Sequence, residues 1–235
     1  TFDNNKINLI GKHNKGGWGI TRFHNFICEA IGYLGNSDNG KVMGIAAYGS
    51  SNKELYKQLR KFLVLNKDGC SAQFTLRHNP KKSLARYDKL KLDSYQRNKV
   101  LNSPNPPKEL KEITKYYSTL DIAATGQKVV EDVALEVVQN LIKKTGKKNL
   151  VCSGGFFQNI AFNKRLLDLG LKKVYIPSAP NDAGLSLGAA LYQKMSIEPK
   201  RTEKVLSPYL GPEFTKKEIE NLLKDYQLKY QESKQ

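Results

Sequence analysis

The stretch that decides the fold is NLVCSGGFFQNIAFNKRLLDLGLKKVYIP, residues 149–177. It predicts a strand at about 149–153, a pair of glycines, a helix over 157–169 and a second strand at about 173–176. Two short apolar strands joined by a helix are typical of a β-α-β unit. The stretch therefore indicates an α/β fold with the two strands as near neighbours.

The alternation continues on both sides of this stretch. A long apolar stripe predicts a helix over 122–144, and small residues predict another over 184–195. Upstream, the pattern predicts a strand at 7–10, a helix in ITRFHNFICEAIGYL, residues 20–34, and a packed turn at KVMGIAAYG, residues 41–49. A helix is expected within 51–65, at the start of an insertion of uncertain structure over 51–114.

Composition excludes several classes of protein. The 235 residues are 39% hydrophobic, which is enough to build a core and excludes a wholly disordered chain. Since no apolar run approaches the ~20 residues that a membrane helix needs, we expect no membrane partner. The three scattered cysteines have neither disulfide-scaffold nor metal-ligand spacing, so we expect a cytoplasmic protein.

The excess of positive charge leaves two interpretations open. The chain has 39 basic and 22 acidic residues, and residues 51–115 alone contain 16 basic against 6 acidic. Such a cluster can bind a polyanion such as RNA, or it can simply be a solvated surface. Because no zinc-knuckle or RNA-recognition signature is present, nucleic acid is not the expected partner.

The glycine pair after the first strand is the first candidate site. Gly154 and Gly155 allow close approach of the backbone to a ligand, and a helix start attracts anions. Asn159 and Asn163 are four residues apart, where their amides could bond a ribose or a base. The alternative is a tight turn followed by two solvated asparagines.

Two further motifs carry candidate residues. In PSAPNDAGLSLGAAL, residues 177–191, Asp182 follows the second strand and is either a helix cap or a cation ligand at the strand ends. In KVMGIAAYG, Lys41 beside Gly44 could hold a phosphate, or could be an ordinary surface lysine. The three histidines show neither HxxxH nor HExxH spacing, so they predict no metal pair.

Taken in order, KVMGIAAYG, LDIAATGQKVVED, VCSGGFFQN and PNDAGLSLGAAL resemble the nodulation-type O-carbamoyltransferase family. The resemblance implies a lobe of the actin, Hsp70 and sugar-kinase type, which is ribonuclease H-like, with 51–114 as an irregular basic insertion. It implies that residues 1–196 belong to the actin-like carbamoyltransferase domain. It also implies that residues 197–235 form a linker and the start of a carboxyl-terminal adenylate-forming domain.

The activity that the resemblance implies is ATP-dependent. Carbamoyl phosphate and ATP would give carbamoyl-adenylate, and the carbamoyl group would pass to a hydroxyl of a sugar or other small metabolite. Gly154 and Gly155 match the family's nucleotide-contacting glycines, and Asn159, the further candidate for nucleotide binding, lies where the family commonly has an asparagine. Lys41 and Gly44 are the further phosphate candidates from the residues themselves. Asp182 matches a ligand of a divalent metal ion. No catalytic acid or base is assigned.

The sequence departs from the family pattern. The paired metal-binding histidines would lie before residue 1 and the adenylate-forming domain after residue 235. Where many relatives read HxDIA, this chain has Leu120–Asp121–Ile122–Ala123, without the histidine. We therefore expect a fragment that is inactive when isolated. The alternatives left open are an ATP-dependent kinase of the same fold superfamily and a non-catalytic polyanion-binding module.

Overall fold

The computed structural model describes residues 2–3, 6–11, 19–35, 37–75, 108–198 and 208–231. The chain divides into two compact units, residues 1–185 and 186–235. The elements of the first unit up to the long helix are β1 (Phe2–Asp3), β2 (Lys6–Ile7), α1 (Ile20–Ala30), α2 (Asn39–Ala46), α3 (Lys53–Arg60), β3 (Leu63–Leu65), β4 (Ala72–Phe74), α4 (Lys108–Thr114) and α5 (Thr119–Thr145). After it follow β5 (Asn149–Val151), α6 (Ile160–Leu166) and β6 (Lys173–Tyr175), with 3-10 turns at Gly155–Gln158, Leu167–Leu169 and Asp182–Gly184.

The predicted β-α-β unit is confirmed. Strands β5 and β6 pair in parallel, with Asn149 opposite Lys173 and Val151 opposite Tyr175. The helix that connects them differs from the prediction, because Asn159 separates a 3-10 turn from α6. The other described strands form two antiparallel pairs, β1 with β2 and β3 with β4.

Helix α5 holds the unit together. It begins after Ser118, whose hydroxyl accepts the N–H of Asp121, and it ends at Gly146 in the left-handed conformation. Its first half packs in one hydrophobic core with α1–α4 and the β3–β4 pair, and its second half packs in another with β5 and α6. The larger buried side chains of the first core include Phe23, Phe26, Ile27, Leu55, Leu59, Leu63, Phe74, Leu110, Val129 and Val130.

Three upstream predictions differ from the structure. KVMGIAAYG is not a packed turn: residues 39–46 form α2, because its buried Val42 packs in the first core. The strand predicted at 7–10 lies earlier, as β2, and the helix predicted within 51–65 ends at Arg60 and is followed by β3. Part of the predicted insertion thus contributes to the core, while its segment 76–107 lies outside the described residues.

The second unit contains two described helices, α7 (Leu185–Ile197, whose first residue belongs to the first unit) and α8 (Lys216–Asp225). Helix α7 confirms the helix predicted over 184–195. Helix α8 begins with a capping box in which Thr215 and Glu218 satisfy each other's backbone N–H. Neither helix has a buried residue.

The structure has α/β composition, with small sheets and many helices. The actin-like architecture and the boundary at residues 196–197 stay predictions. Among the described helices, none combines the length and the apolar character that a membrane span requires.

Candidate functional site

The two turns that follow β5 and β6 lie side by side. The N–H of Gly154 donates to the carbonyl of Pro180 at 2.6 Å. A side chain at Gly155 would lie 3.7 Å from the Cβ of Asn181. Gly154 has φ +111°, a conformation that residues with a side chain rarely adopt. The glycine pair and the PNDAG turn therefore meet at the carboxyl ends of two parallel strands, where α/β sheets bind ligands.

Asp182 faces solvent at this edge. It is the first residue of the 3-10 turn Asp182–Gly184, and the N-cap position before it belongs to Asn181, which makes no side-chain cap bond. Within the described part of the chain, its carboxylate has neither a hydrogen bond nor an ion pair. The geometry therefore gives Asp182 no capping role and leaves both of its oxygens open to a ligand.

Asn159 is held by the protein on two sides. Its Oδ1 accepts the N–H of Phe162 at 3.1 Å, which caps α6, and also accepts Nε2 of Gln127 at 2.9 Å. Its Nδ2 donates to Oε1 of Gln127 at 3.2 Å. Because an amide nitrogen carries two hydrogens, Asn159 keeps one donor for a ligand. Asn163 instead donates to the carbonyl of Phe157 at 2.7 Å.

Gln127 extends this pair into a charged network on α5. Its Nε2 also donates to Glu131 at 2.7 Å, and Arg165 of α6 pairs with Glu131 at 2.9 Å and with Asp132 at 2.8 Å. Burial opposes ionisation of Asp132, but hydrogen bonds from Lys128 and Arg165 outweigh it and hold the pKa of Asp132 below its usual value. The network fixes α6, and with it the glycine turn, against α5.

A cavity of about 420 Å³ opens between α1, α2 and the glycine turn. Its volume lies within the range of small-molecule sites. None of its described lining residues carries an ionised side chain; they are Thr21, His24, Ser37, Asn39, Gly40, Met43, Gly155, Phe156, Gln158 and Asn159.

His24 is the feature of this cavity that sequence reasoning missed. Its position on the apolar stripe of α1 predicts only a core residue, and it is 6% exposed. Burial lowers the pKa of His24 to about 4, although a weaker interaction with Gln127 acts to raise it. The imidazole is therefore neutral near pH 7. Its Nε2 has no hydrogen-bond partner among the described residues.

The structure separates Lys41 and Gly44 from the other predicted residues. Lys41 forms an ion pair with Asp38 at 2.8 Å and lies 5.5 Å from the ring centre of Tyr33. Gly44 is exposed on α2, and neither residue is among those lining the cavity. From the same motif, the neighbouring residues Asn39, Gly40 and Met43 reach it instead.

The end of the KVMGIAAYG motif packs on the start of α5. A side chain at Gly49 would collide with the carbonyl of Leu120, and the N–H of Ser50 donates to Asp121 at 2.9 Å. The N–H of Asn52 donates to Thr125 at 3.0 Å. Two of the motifs found in the sequence, KVMGIAAYG and LDIAATGQKVVED, are thus in direct contact.

Comparison with known proteins identifies the family. Residues 13–191 match the family model described as carbamoyltransferase N-terminus. An uncharacterized protein of Synechocystis sp. is 33% identical over 82% of this chain and 31% of its own length. The nodulation proteins NolO of Bradyrhizobium diazoefficiens and NolNO of Sinorhizobium fredii are 28% and 27% identical, over 80% and 79% of this chain and 31% and 25% of theirs.

Proposed function

The chain belongs to the carbamoyltransferase N-terminus family, and from that premise we propose that the natural polypeptide containing it is an ATP-dependent O-carbamoyltransferase. The donor is carbamoyl phosphate, and the acceptor is a hydroxyl of a sugar or other small metabolite. The chain spans about a third of the length of the curated relatives it matches, so substrates and partners are part of the proposal.

The observation that carries the proposal is the cavity beside the glycine turn. Gly155 and Asn159, predicted to contact a nucleotide, line it together with residues of α2. The exposed backbone of Gly154 and Gly155 can approach phosphate oxygens without obstruction by side chains. We propose that a nucleotide lies across this turn, with Asn159 donating its remaining N–H. Lys41 would reach a phosphate only by leaving Asp38.

We propose only one ligand of a metal site, Asp182. The described residues contain no group of three His, Cys, Asp or Glu side chains that could hold an ion. Asp182 would supply one oxygen ligand to a divalent ion, whose charge offsets that of the nucleotide phosphates. The remaining ligands would have to come from outside the described residues.

The proposed transfer is an acyl substitution at the carbamoyl carbon. The acceptor hydroxyl attacks this carbon in carbamoyl-adenylate, the bond to the AMP phosphate oxygen breaks, and the hydroxyl proton passes to a base. Alcohols are weak nucleophiles, and water competes with them for the activated carbamoyl group. The protein must therefore orient the acceptor and keep water from the activated carbamoyl group.

The test is a transfer assay on the natural polypeptide. It is incubated with ATP, carbamoyl phosphate labelled in the carbamoyl carbon, and a panel of sugars; label is expected in an acceptor, with AMP formed. Gly155→Val, which adds a bulky side chain at the turn, should abolish transfer, whereas Lys57→Ala on the exposed face of α3 should not. Phosphate from ATP appearing in the acceptor, with no carbamoyl label, would identify a kinase and refute the proposal.

A further inference from the structure

Two residues that line the cavity each have a buried polar atom without a hydrogen-bond partner among the described residues. One is Nε2 of His24 on α1, and the other is Oδ1 of Asn39 at the start of α2. Both residues line the cavity, and both atoms lack a hydrogen bond within the described part of the chain. Buried polar atoms are normally paired, so two unpaired atoms beside one cavity point to a group that binds there.

Both side chains are restrained by their surroundings, Asn39 by a hydrogen bond and His24 by burial. The Asn39 amide nitrogen donates to Oδ1 of Asn25 at 2.7 Å, and Asn25 is itself buried. His24 is buried, with only 6% of its surface exposed. These side chains therefore present a pre-arranged pair of hydrogen-bonding atoms.

The charge of the residues that line the cavity limits which chemical groups can bind there. The imidazole is neutral near pH 7, and no ionised side chain is among the described residues that line the cavity. A phosphate or carboxylate would lose its water here without gaining an opposite charge, which is unfavourable. A hydroxyl suits both atoms, because it donates to the oxygen of Asn39 and either donates to or accepts from the histidine nitrogen.

We infer that His24, together with Asn39, forms a subsite that binds a neutral hydroxyl-bearing ring of the ligand. This inference rests on the proposed function, which offers two sources for such a ring: the ribose of the nucleotide or the acceptor sugar. His24 thereby determines specificity, since it distinguishes a hydroxylated ring from one without hydroxyls. The phosphates lie outside this subsite, towards the glycine turn.

The experiment follows the imidazole directly. The chain is labelled with ¹⁵N-histidine, the His24 signals are assigned with His24→Phe, and adenosine, 2′,3′-dideoxyadenosine, glucose and inorganic phosphate are titrated separately. A shift of the His24 ring nitrogens by adenosine but not by its dideoxy analogue identifies the ribose. A shift by glucose identifies a sugar acceptor. If none of the hydroxylated probes moves these signals, the subsite holds water only and the inference is wrong.

Variants provide a second readout in the natural polypeptide. His24→Phe should lower the affinity for the probe that binds by about tenfold, because roughly one hydrogen bond is lost. His24→Gln should restore part of this affinity. Lys57→Ala is the control. Carbamoyl transfer with unchanged KM values for ATP and acceptor in His24→Phe would refute the subsite and leave the function standing. Glucose binding at His24 without any transfer would support the subsite and refute the function.

Discussion

The side-chain amides of Gln127 and Asn159 are hydrogen-bonded to each other in both directions, at 2.9 and 3.2 Å. The same Asn159 oxygen caps α6. A pair of amides 32 positions apart therefore joins α5 to the glycine turn and sets one wall of the cavity. Its strength can be measured against an ordinary cap elsewhere in the chain.

We expect Asn159→Ala to lower the free energy of unfolding by about 2–4 kcal/mol, because it removes a cap and leaves the buried amide of Gln127 short of a partner. The matched control is Asn52→Ala. Asn52 caps α3 by accepting two N–H groups, but within the described part of the chain it has no buried amide side chain as a partner, so a loss of about 1 kcal/mol is expected. Urea denaturation measures both, and equal losses would contradict a special role for the pair.

The buried imidazole makes stability depend on pH. His24 has its pKa lowered to about 4 in the folded chain, from about 6.5 when unfolded, so between these values the unfolded chain binds more protons. The neutral ring therefore contributes about 3 kcal/mol to the free energy of unfolding. This contribution is complete above pH 6.5 and is lost as the pH falls towards 4. Comparing denaturation of the wild type and His24→Phe from pH 7 to 4 isolates this effect. Parallel curves would show that His24 does not carry it.

Substitution of Asp182 distinguishes a metal-ligand role of this residue from a structural role. Asp182→Asn should leave the melting temperature unchanged, because the carboxylate is exposed and caps no helix. In the natural polypeptide it should lower carbamoyl transfer by roughly 100-fold or more, through loss of a negative oxygen ligand. Asp168→Asn, at another exposed 3-10 turn, is the control. Full activity of Asp182→Asn would remove Asp182 from the proposed site.

The cysteines should differ in reactivity. Burial raises the pKa of Cys28 to about 12 and that of Cys152 to about 11, so neither forms the reactive thiolate near pH 8. Cys70 is only partly buried. Iodoacetamide at pH 8 should therefore modify Cys70 first, and all three in denaturant, as mass spectrometry can establish. Rapid modification of Cys152 in the folded chain would mean that β5 is not packed as described.

Local pattern predicted the elements better than it predicted the site. Strand β5, strand β6 and the stretch of α5 follow from apolar periodicity and glycine stops, which act over a few residues. The partners of Asn159 could not be predicted in that way, because Gln127 meets it only after two helices pack. His24 was concealed for the same reason: a histidine on an apolar stripe has the periodicity of the core, and its cavity depends on α2.

Helix α2 also explains why Lys41 was a poor guide to the cavity. The motif was predicted to be a turn, in which successive residues point in many directions. In a helix, positions 39, 40 and 43 share a face that Lys41 does not, and the lysine pairs with Asp38 one turn earlier. The motif contributes to the cavity through its other residues.

Because the two hydrophobic cores share α5, ligand binding is coupled to the folding of both cores. The cavity takes His24 and Asn39 from elements of the first core, and Gly155 and Asn159 from the turn before α6 of the second. A ligand therefore binds only chains in which both cores are folded. By mass action it should slow hydrogen exchange along the whole of α5, at both cores together, and merge them into one cooperative unit.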